Sequence, residues 1–149
     1  MTRNMLLERA LVSDLPLILE LVEEFCAIDK HAFDADRVAR ALLPLLEHDE
    51  HGVVFLTDNA RGYLVITWGY SLESGGREAL VDEIYLRRRG AGIGTKVMSA
   101  LFADMADRGV VKMFLETETH NARARRFYAR QGFAEDDSIW MSRNIWRNT

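Results

Sequence analysis

The order of apolar and polar positions divides the chain into short strands and longer helices. Residues 6–12, LLERALV, predict a first strand. Residues 13–28, SDLPLILELVEEFCAI, predict a helix with Leu17, Leu21 and Phe25 on one face and Ile18 and Val22 beside them. Ser13 or Asp14 is suited to cap it, and Pro16 suits a first turn, where a missing N–H costs nothing. Residues 33–48, FDADRVARALLPLLEH, predict a second helix capped by Asp34, which Pro44 should kink or divide. Three strands follow, at residues 52–58, 61–72 and 77–86, joined by the turn signals NARG and ESGG. Such short loops predict an antiparallel meander. A helix running to about residue 108 comes next, with Val97, Leu101 and Met105 on one side and Met98 and Phe102 widening it. A strand at 110–118, a helix at 121–132 capped by Asn121, and a last strand at 138–145 complete the order. This β-α-α-β-β-β-α-β-α-β order predicts an α+β layered domain with one mixed sheet. The strand–helix–strand unit through the third helix predicts one parallel, right-handed crossover.

The totals change this picture little. A length of 149 residues suits a single domain over 1–149, and 48% hydrophobic residues can fill a core. No apolar run reaches the roughly 20 residues of a membrane span. Glu8 and Arg9 interrupt the apolar N-terminal positions, against a signal peptide. Cys26 is the single cysteine, which leaves no internal disulfide and favours a cytoplasmic location. Its place in an apolar helical pattern predicts a small buried hydrophobe and not a nucleophile. The histidines lack metal-ligand spacing, so no metal is expected. Net charge is −4, against general nucleic-acid binding. Residues 1–79 carry seven Lys/Arg against fourteen Asp/Glu, and residues 80–149 carry twelve against nine. An acidic half can attract a cationic ligand and a basic half an anionic one; uneven solvated charge is the plainer alternative.

The chemistry concentrates in RRRGAGIGTK, residues 87–96. A glycine-rich turn opening a helix is an anion-binding arrangement. The first N–H groups have no intrahelical partner, the helix dipole is positive there, and absent side chains admit a phosphate. A Walker loop requires Lys immediately after its last Gly, whereas Lys96 stands two residues after Gly94. The dinucleotide fingerprint requires G-x-G-x-x-G, whereas Gly90, Gly92 and Gly94 give G-x-G-x-G. What remains is an anion cradle of another kind, or a flexible turn without a ligand.

The spacing Arg89-x-x-Gly92-x-Gly94 resembles the acetyl-CoA motif of the GNAT N-acetyltransferase family, [QR]-x-x-G-x-[GA]. Downstream, Asn121, Ala124, Tyr128, Gly132 and Phe133 match that family's N-x-x-A-x-x-x-Y-x-x-x-G-F pattern. The resemblance extends over about residues 6–145. It implies a three-layer α/β/α fold, with a mixed, mostly antiparallel sheet flanked by helices. It departs at residues 86–89, where the approach from strand to Arg89 is short and lacks the proline common in small bacterial members.

The resemblance implies direct transfer of acetyl from acetyl-CoA, the cosubstrate, to a primary amine in a ternary complex. Arg89, Gly90, Ala91, Gly92, Ile93, Gly94 and Thr95 would hold the CoA pyrophosphate. Ile84, Tyr85 and Leu86 would pair with the pantetheine arm where the following parallel strand splays away, with a backbone N–H near Leu86 polarising the thioester. Asn121 would touch the CoA arm as well as cap its helix. Tyr128 would protonate the leaving thiolate; the alternative is a core tyrosine beside Phe127. An amine with a pKa of roughly 10 needs deprotonation before attack. Glu83 is the first choice of base. Asp82 points to the other face by strand alternation, and the two exchange roles if the phase shifts by one. The alternative for either is a strand-edge charge paired with an arginine. Among Arg123, Arg125, Arg126 and Arg130, one or two would meet the CoA 3′-phosphate or adenine. The acceptor is a small-molecule or peptide amine, with Glu20, Glu23 and Glu24 favouring a cationic one and Trp68 and Tyr70 as candidate lining. No nucleic acid and no membrane is expected as a partner; a homodimer is an open alternative. The rival reading is a catalytically silent CoA-binding sensor or regulatory module of the same fold.

Overall fold

The computed structural model describes residues 5–146. The chain divides into two compact units, Met1–Glu116 and Thr117–Thr149.

The first unit carries one five-stranded sheet in the order β1-β2-β3-β4-β5: β1 (Leu7–Arg9), β2 (Gly52–Thr57), β3 (Gly62–Ser71), β4 (Gly76–Leu86) and β5 (Lys112–Phe114). The first four strands pair antiparallel in chain order, and β5 pairs parallel to β4. The expected meander and the parallel β4–β5 pair are therefore present. Three helices complete the unit: α1 (Leu15–Asp29), α2 (Ala35–Glu47) and α3 (Ile93–Asp107).

Apolar spacing explains the layers. Ile18, Leu21 and Val22 of α1 and Leu42, Leu45 and Leu46 of α2 pack with Val54, Leu56, Tyr63, Val65 and Tyr85. Strand alternation sends Val53, Phe55, Leu64 and Ile66 to the opposite face, and all four are buried. There the Arg108 guanidinium, just after α3, lies 5.8 Å from the Phe55 ring centroid. Helices thus cover both faces, as an α/β/α layering requires.

Several local expectations need correction. Asp14 does not cap α1 with its side chain. Its Oδ2 accepts from the Leu11 N–H at 2.8 Å, closing a short 3-10 turn at Val12–Asp14. Asp34 does cap α2, accepting from the Arg37 N–H at 3.2 Å. Pro44 does not divide α2: it sits in the last turn, and the carbonyl it leaves unbonded, that of Arg40, belongs to an exposed residue. β1 and β5 are three residues each, shorter than their apolar runs.

The second unit contains α4 (Ala122–Arg130), capped by Asn121, whose Oδ1 accepts from the Ala124 N–H at 3.1 Å. Gly132 follows at φ +96°. The expected last strand at 138–145 does not form; its residues are irregular and exposed, Trp140 at 86%. A strand requires a partner edge, and an alternating apolar run does not supply one.

Candidate active site

Three features of the first unit converge at the end of β4. The first is a divergence. β5 pairs with β4 only at Glu78, Ala79 and Leu80, while β4 continues to Leu86 beside β3. Residues 81–86 therefore have no strand on their other side among the described residues. The Arg87 N–H donates to the Arg61 carbonyl at 3.1 Å. By the alternation of an antiparallel ladder, Glu83 and Tyr85 then turn their backbone groups toward β3. Ile84 and Leu86 turn theirs toward the open side.

The second feature is a β-bulge. Val65 pairs with Glu83 but Ile66 pairs with Val81, so Asp82 is the extra residue. Without it, Glu83 would share a face with Val81. The bulge reverses the phase and sends Glu83 to the α1 face with Tyr85, while Val81 stays with Ile66 on the α3 face. Asp82 is exposed. Glu83 is half-buried, and its carboxylate accepts from the Tyr63 hydroxyl, not from an arginine. Burial pushes Glu83 above the usual carboxylate range; the Tyr63 donor pulls the other way without cancelling it, Asp82 and Asp29 add to the rise, and His31 opposes it. Burial and the same hydrogen bond push the Tyr63 hydroxyl far up.

Tyr85 is buried beside this pair, its ring 6.2 Å from that of Tyr63 and 5.5 Å from that of Phe25. Its hydroxyl donates to Glu24 Oε1 at 2.6 Å, and Arg87 donates to both oxygens of the same carboxylate. Glu24, unlike the exposed Glu20 and Glu23, is thus committed within the protein. Cys26 packs against the core, and burial pushes its thiol up, away from nucleophilic behaviour.

The third feature is the glycine turn. Gly90, Ala91 and Gly92 stand at φ +88°, +54° and +72°, a left-handed run that an ordinary sequence avoids. A Cβ added to Gly90 or Gly92 meets nothing within 4 Å. These glycines are thus required by backbone shape and not by a crowded neighbour. Gly92 is the N-cap residue of α3 and offers its first turn no side-chain acceptor. Ile93 is buried, so the helix start is fixed while the turn ahead of it is exposed. Gly94 is half-buried and Thr95 exposed. The three arginines before the turn separate. Arg87 binds Glu24, Arg88 binds the buried Asp58, and Arg89 is exposed with no ion pair among the described residues. The pairings of Arg87 and Arg88 carry no sequence signal beyond complementary charge.

Trp68 is not a lining residue beside Glu83. It pairs with Ala79 on the α3 face, donates its indole N–H to the Asp49 carbonyl at 2.8 Å, and lies under Arg77 and Arg108. Tyr70 is 79% exposed.

In the second unit, Tyr128 packs edge-on against Phe127 and Phe133, with centroids 5.2 and 5.9 Å away. Burial pushes its hydroxyl up, which keeps it a neutral donor. Arg125 is held by the Glu118 carbonyl and by Glu135, whereas Arg123, Arg126 and Arg130 are exposed.

Among the described residues, no group of three or more His, Cys, Asp or Glu side chains is placed to hold a metal ion, and no helix is long and apolar enough to cross a membrane.

Comparison with known proteins gives consistent results. The profile of the acetyltransferase (GNAT) family matches residues 17–133. An uncharacterized N-acetyltransferase of Bacillus subtilis, YhfO, is 25% identical over 134 residues, covering 87% of this chain and 90% of its own. The crystal structure of an integron cassette protein from the mobile metagenome of Cole Harbour Salt Marsh superposes with a TM-score of 0.83 at 27% identity, over 95% of this chain and 91% of the other. An aminoglycoside N-acetyltransferase, AAC(6')-Iy, solved in complex with CoA, superposes with a TM-score of 0.77 at 14% identity, over 95% of each chain.

Proposed function

This chain belongs to the acetyltransferase (GNAT) family, and from that premise we propose that it transfers acetyl from acetyl-CoA directly to a primary amine of a small molecule or peptide in a ternary complex. The observation that carries the reading is the fork between β4 and β5. It opens beside the glycine turn, and Glu83 stands on the same stretch of β4.

Acetyl-CoA is the first substrate. Backbone N–H groups from Gly90 to Thr95, at the positive end of the α3 dipole, suit its pyrophosphate, and Arg89, exposed and without an ion pair among the described residues, adds a positive charge. Ile84 and Leu86 present backbone groups to the open side of β4, where the pantetheine amides add as a further strand. The Leu86 N–H then faces the thioester oxygen, where negative charge grows during attack. Glu83, held by Tyr63, takes a proton from the incoming ammonium directly or through water. A carboxylate raised by burial is a better base than an ordinary one, because its pKa lies nearer the working pH. Tyr128 donates to the departing thiolate, and Asn121 contacts the CoA arm. The acceptor is a cationic amine, to which Glu83, Asp82 and Asp29 are attractive. The aminoglycoside acetyltransferase among the structural neighbours acts on one such class. Action in the cytoplasm accords with the lone thiol.

The test is release of free CoA thiol from acetyl-CoA with a panel of polyamines, aminoglycosides and lysine peptides. Amine-dependent thiol release is the expected result. CoA binding without turnover on the whole panel would favour a silent CoA-binding module, and no response to CoA would defeat both readings. In the active enzyme, Tyr128→Phe should lower kcat far more than CoA affinity; unchanged kcat would remove its acid role.

A further inference from the structure

The glycine turn hangs between two ends. On the α3 side it is fixed by buried Ile93. In its middle, side chains added at Gly90 or Gly92 would meet nothing, so packing does not hold it there. On the β4 side it is fixed by Arg87 and Arg88. The Arg87 tie to Glu24 joins two side chains that are 46% and 36% exposed, and such pairs hold weakly. The Arg88 tie is different. Its Nε donates to Asp58 Oδ2 at 2.8 Å and its Nη2 to Oδ1 at 2.6 Å, a two-pronged bond to a carboxylate only 4% exposed.

Asp58 sits in the β2–β3 turn, thirty residues before Arg88. Asp58, Asn59 and Ala60 run at φ +50°, +55° and +65°. Four-residue hairpin loops are commonly built on a type I turn and do not need three left-handed residues in succession. The turn is pinned in this shape from outside: Asp58 N–H donates to the Leu6 carbonyl and Asn59 N–H to the Met5 carbonyl, at 3.1 and 3.0 Å. Arg61 adds a second guanidinium, with Nη2 3.0 Å from Asp58 Oδ1. The Arg61 carbonyl accepts the Arg87 N–H, so turn and strand end are also joined through the backbone.

We propose that Asp58 is a positioning residue for the acetyl-CoA cradle: by gripping Arg88 it sets where the loop 89–94 begins. The inference rests on the cradle reading above. Arg88 on this account is a strut and not a phosphate ligand, since leaving Asp58 would strip a buried carboxylate of its forked partner.

The test compares Asp58→Asn, Arg88→Gln and the double variant. Calorimetric Kd for CoA and KM for acetyl-CoA should each rise about ten-fold, a usual size for losing one positioning contact. Saturated kcat and the amine KM should stay within about two-fold. The double variant should be no weaker than the weaker single, because both break one interaction. Amide hydrogen exchange at residues 89–94 should quicken in both single variants without ligand, a change that loss of a phosphate ligand alone would not produce. A Kd for Asp58→Asn equal to or below that of the unaltered protein would overturn the inference, and is what a direct phosphate role for Arg88 predicts. Additive losses in the double variant would overturn it too. If Asp58→Asn does not fold, Arg88→Gln with unchanged exchange at 89–94 overturns it, and faster exchange supports it. Failure of the unaltered protein to bind CoA is seen before any variant is made; it defeats the cradle reading and this inference with it.

Discussion

Glu83 is a carboxyl held by a phenol instead of a cation. A buried carboxylate beside an arginine would be depressed and useless as a base near neutrality. Burial with one hydroxyl donor leaves it raised instead. The Tyr63 hydrogen bond favours the charged form, so removing it should raise the Glu83 pKa further. Tyr63→Phe is therefore expected to move the acidic limb of kcat/KM to higher pH, with the alkaline limb unmoved, in a pH–rate profile. An unmoved acidic limb would count against Glu83 as the base that Tyr63 tunes. Glu83 is singled out in the sequence because it lies on the strand expected to line the slot, but simple alternation does not give its orientation. Alternation assumes one residue per pleat, and the extra residue Asp82 breaks that count. A one-residue bulge leaves no signature in apolar and polar order. Tyr63 was missed for a related reason: it sits across the sheet on β3, where an apolar run reads as core.

At the level of elements, strong periodicity is readable: α1, α2, α3 and the β2-β3-β4 meander lie within a few residues of expectation, and the caps Asp34 and Asn121 form while that of Asp14 does not. The strand expected at 138–145 does not form, and β1 and β5 do form but over three residues each, shorter than their apolar runs. Apolar content signals burial but not the length over which a partner strand is present. Glycine shows the same division between legible and hidden. Gly90 and Gly92 announce themselves by spacing. Gly52 looks ordinary, yet a Cβ there would lie 2.0 Å from the Ile66 carbonyl oxygen. β2 and β3 thus approach too closely for any side chain. Gly52→Ala should destabilise the protein by about 1–3 kcal/mol, the usual cost of forcing atoms into a packed site, as a lowered denaturation midpoint with an unchanged m-value. A midpoint equal to that of the unaltered protein would show that the strands can separate freely.

For the whole molecule, two sets of carboxyls oppose each other. Asp58 is held down by its Arg88 hydrogen bond against burial, with Arg61 adding to it; Glu24 is lowered by Arg87 and Tyr85. Asp49 is lowered by Arg9 and Arg108, which together outweigh its burial. Groups with depressed folded pKa values stabilise fully above their unfolded values of about 4, and that stability is lost as pH falls through the folded values. Glu83 has the reverse sign: stability falls as pH rises from its unfolded value through its raised folded one. Thermal melts against pH should show a steep acid loss below about pH 4, shallower in Asp58→Asn. An acid limb identical in that variant would remove Asp58 from the balance.

The fork between β4 and β5 has one more consequence. An open stretch of β4 is also a raw edge, on which the strand of a neighbouring chain can add as readily as a pantetheine arm. On the proposed function this edge has to stay bare for the pantetheine arm. The bulge at Asp82 interrupts the regular spacing of β4 along this stretch, and bulges are among the features by which natural sheets discourage such pairing. On the proposed reading, the extra residue that turns Glu83 to the α1 face also leaves this stretch of edge a poor match for a second strand.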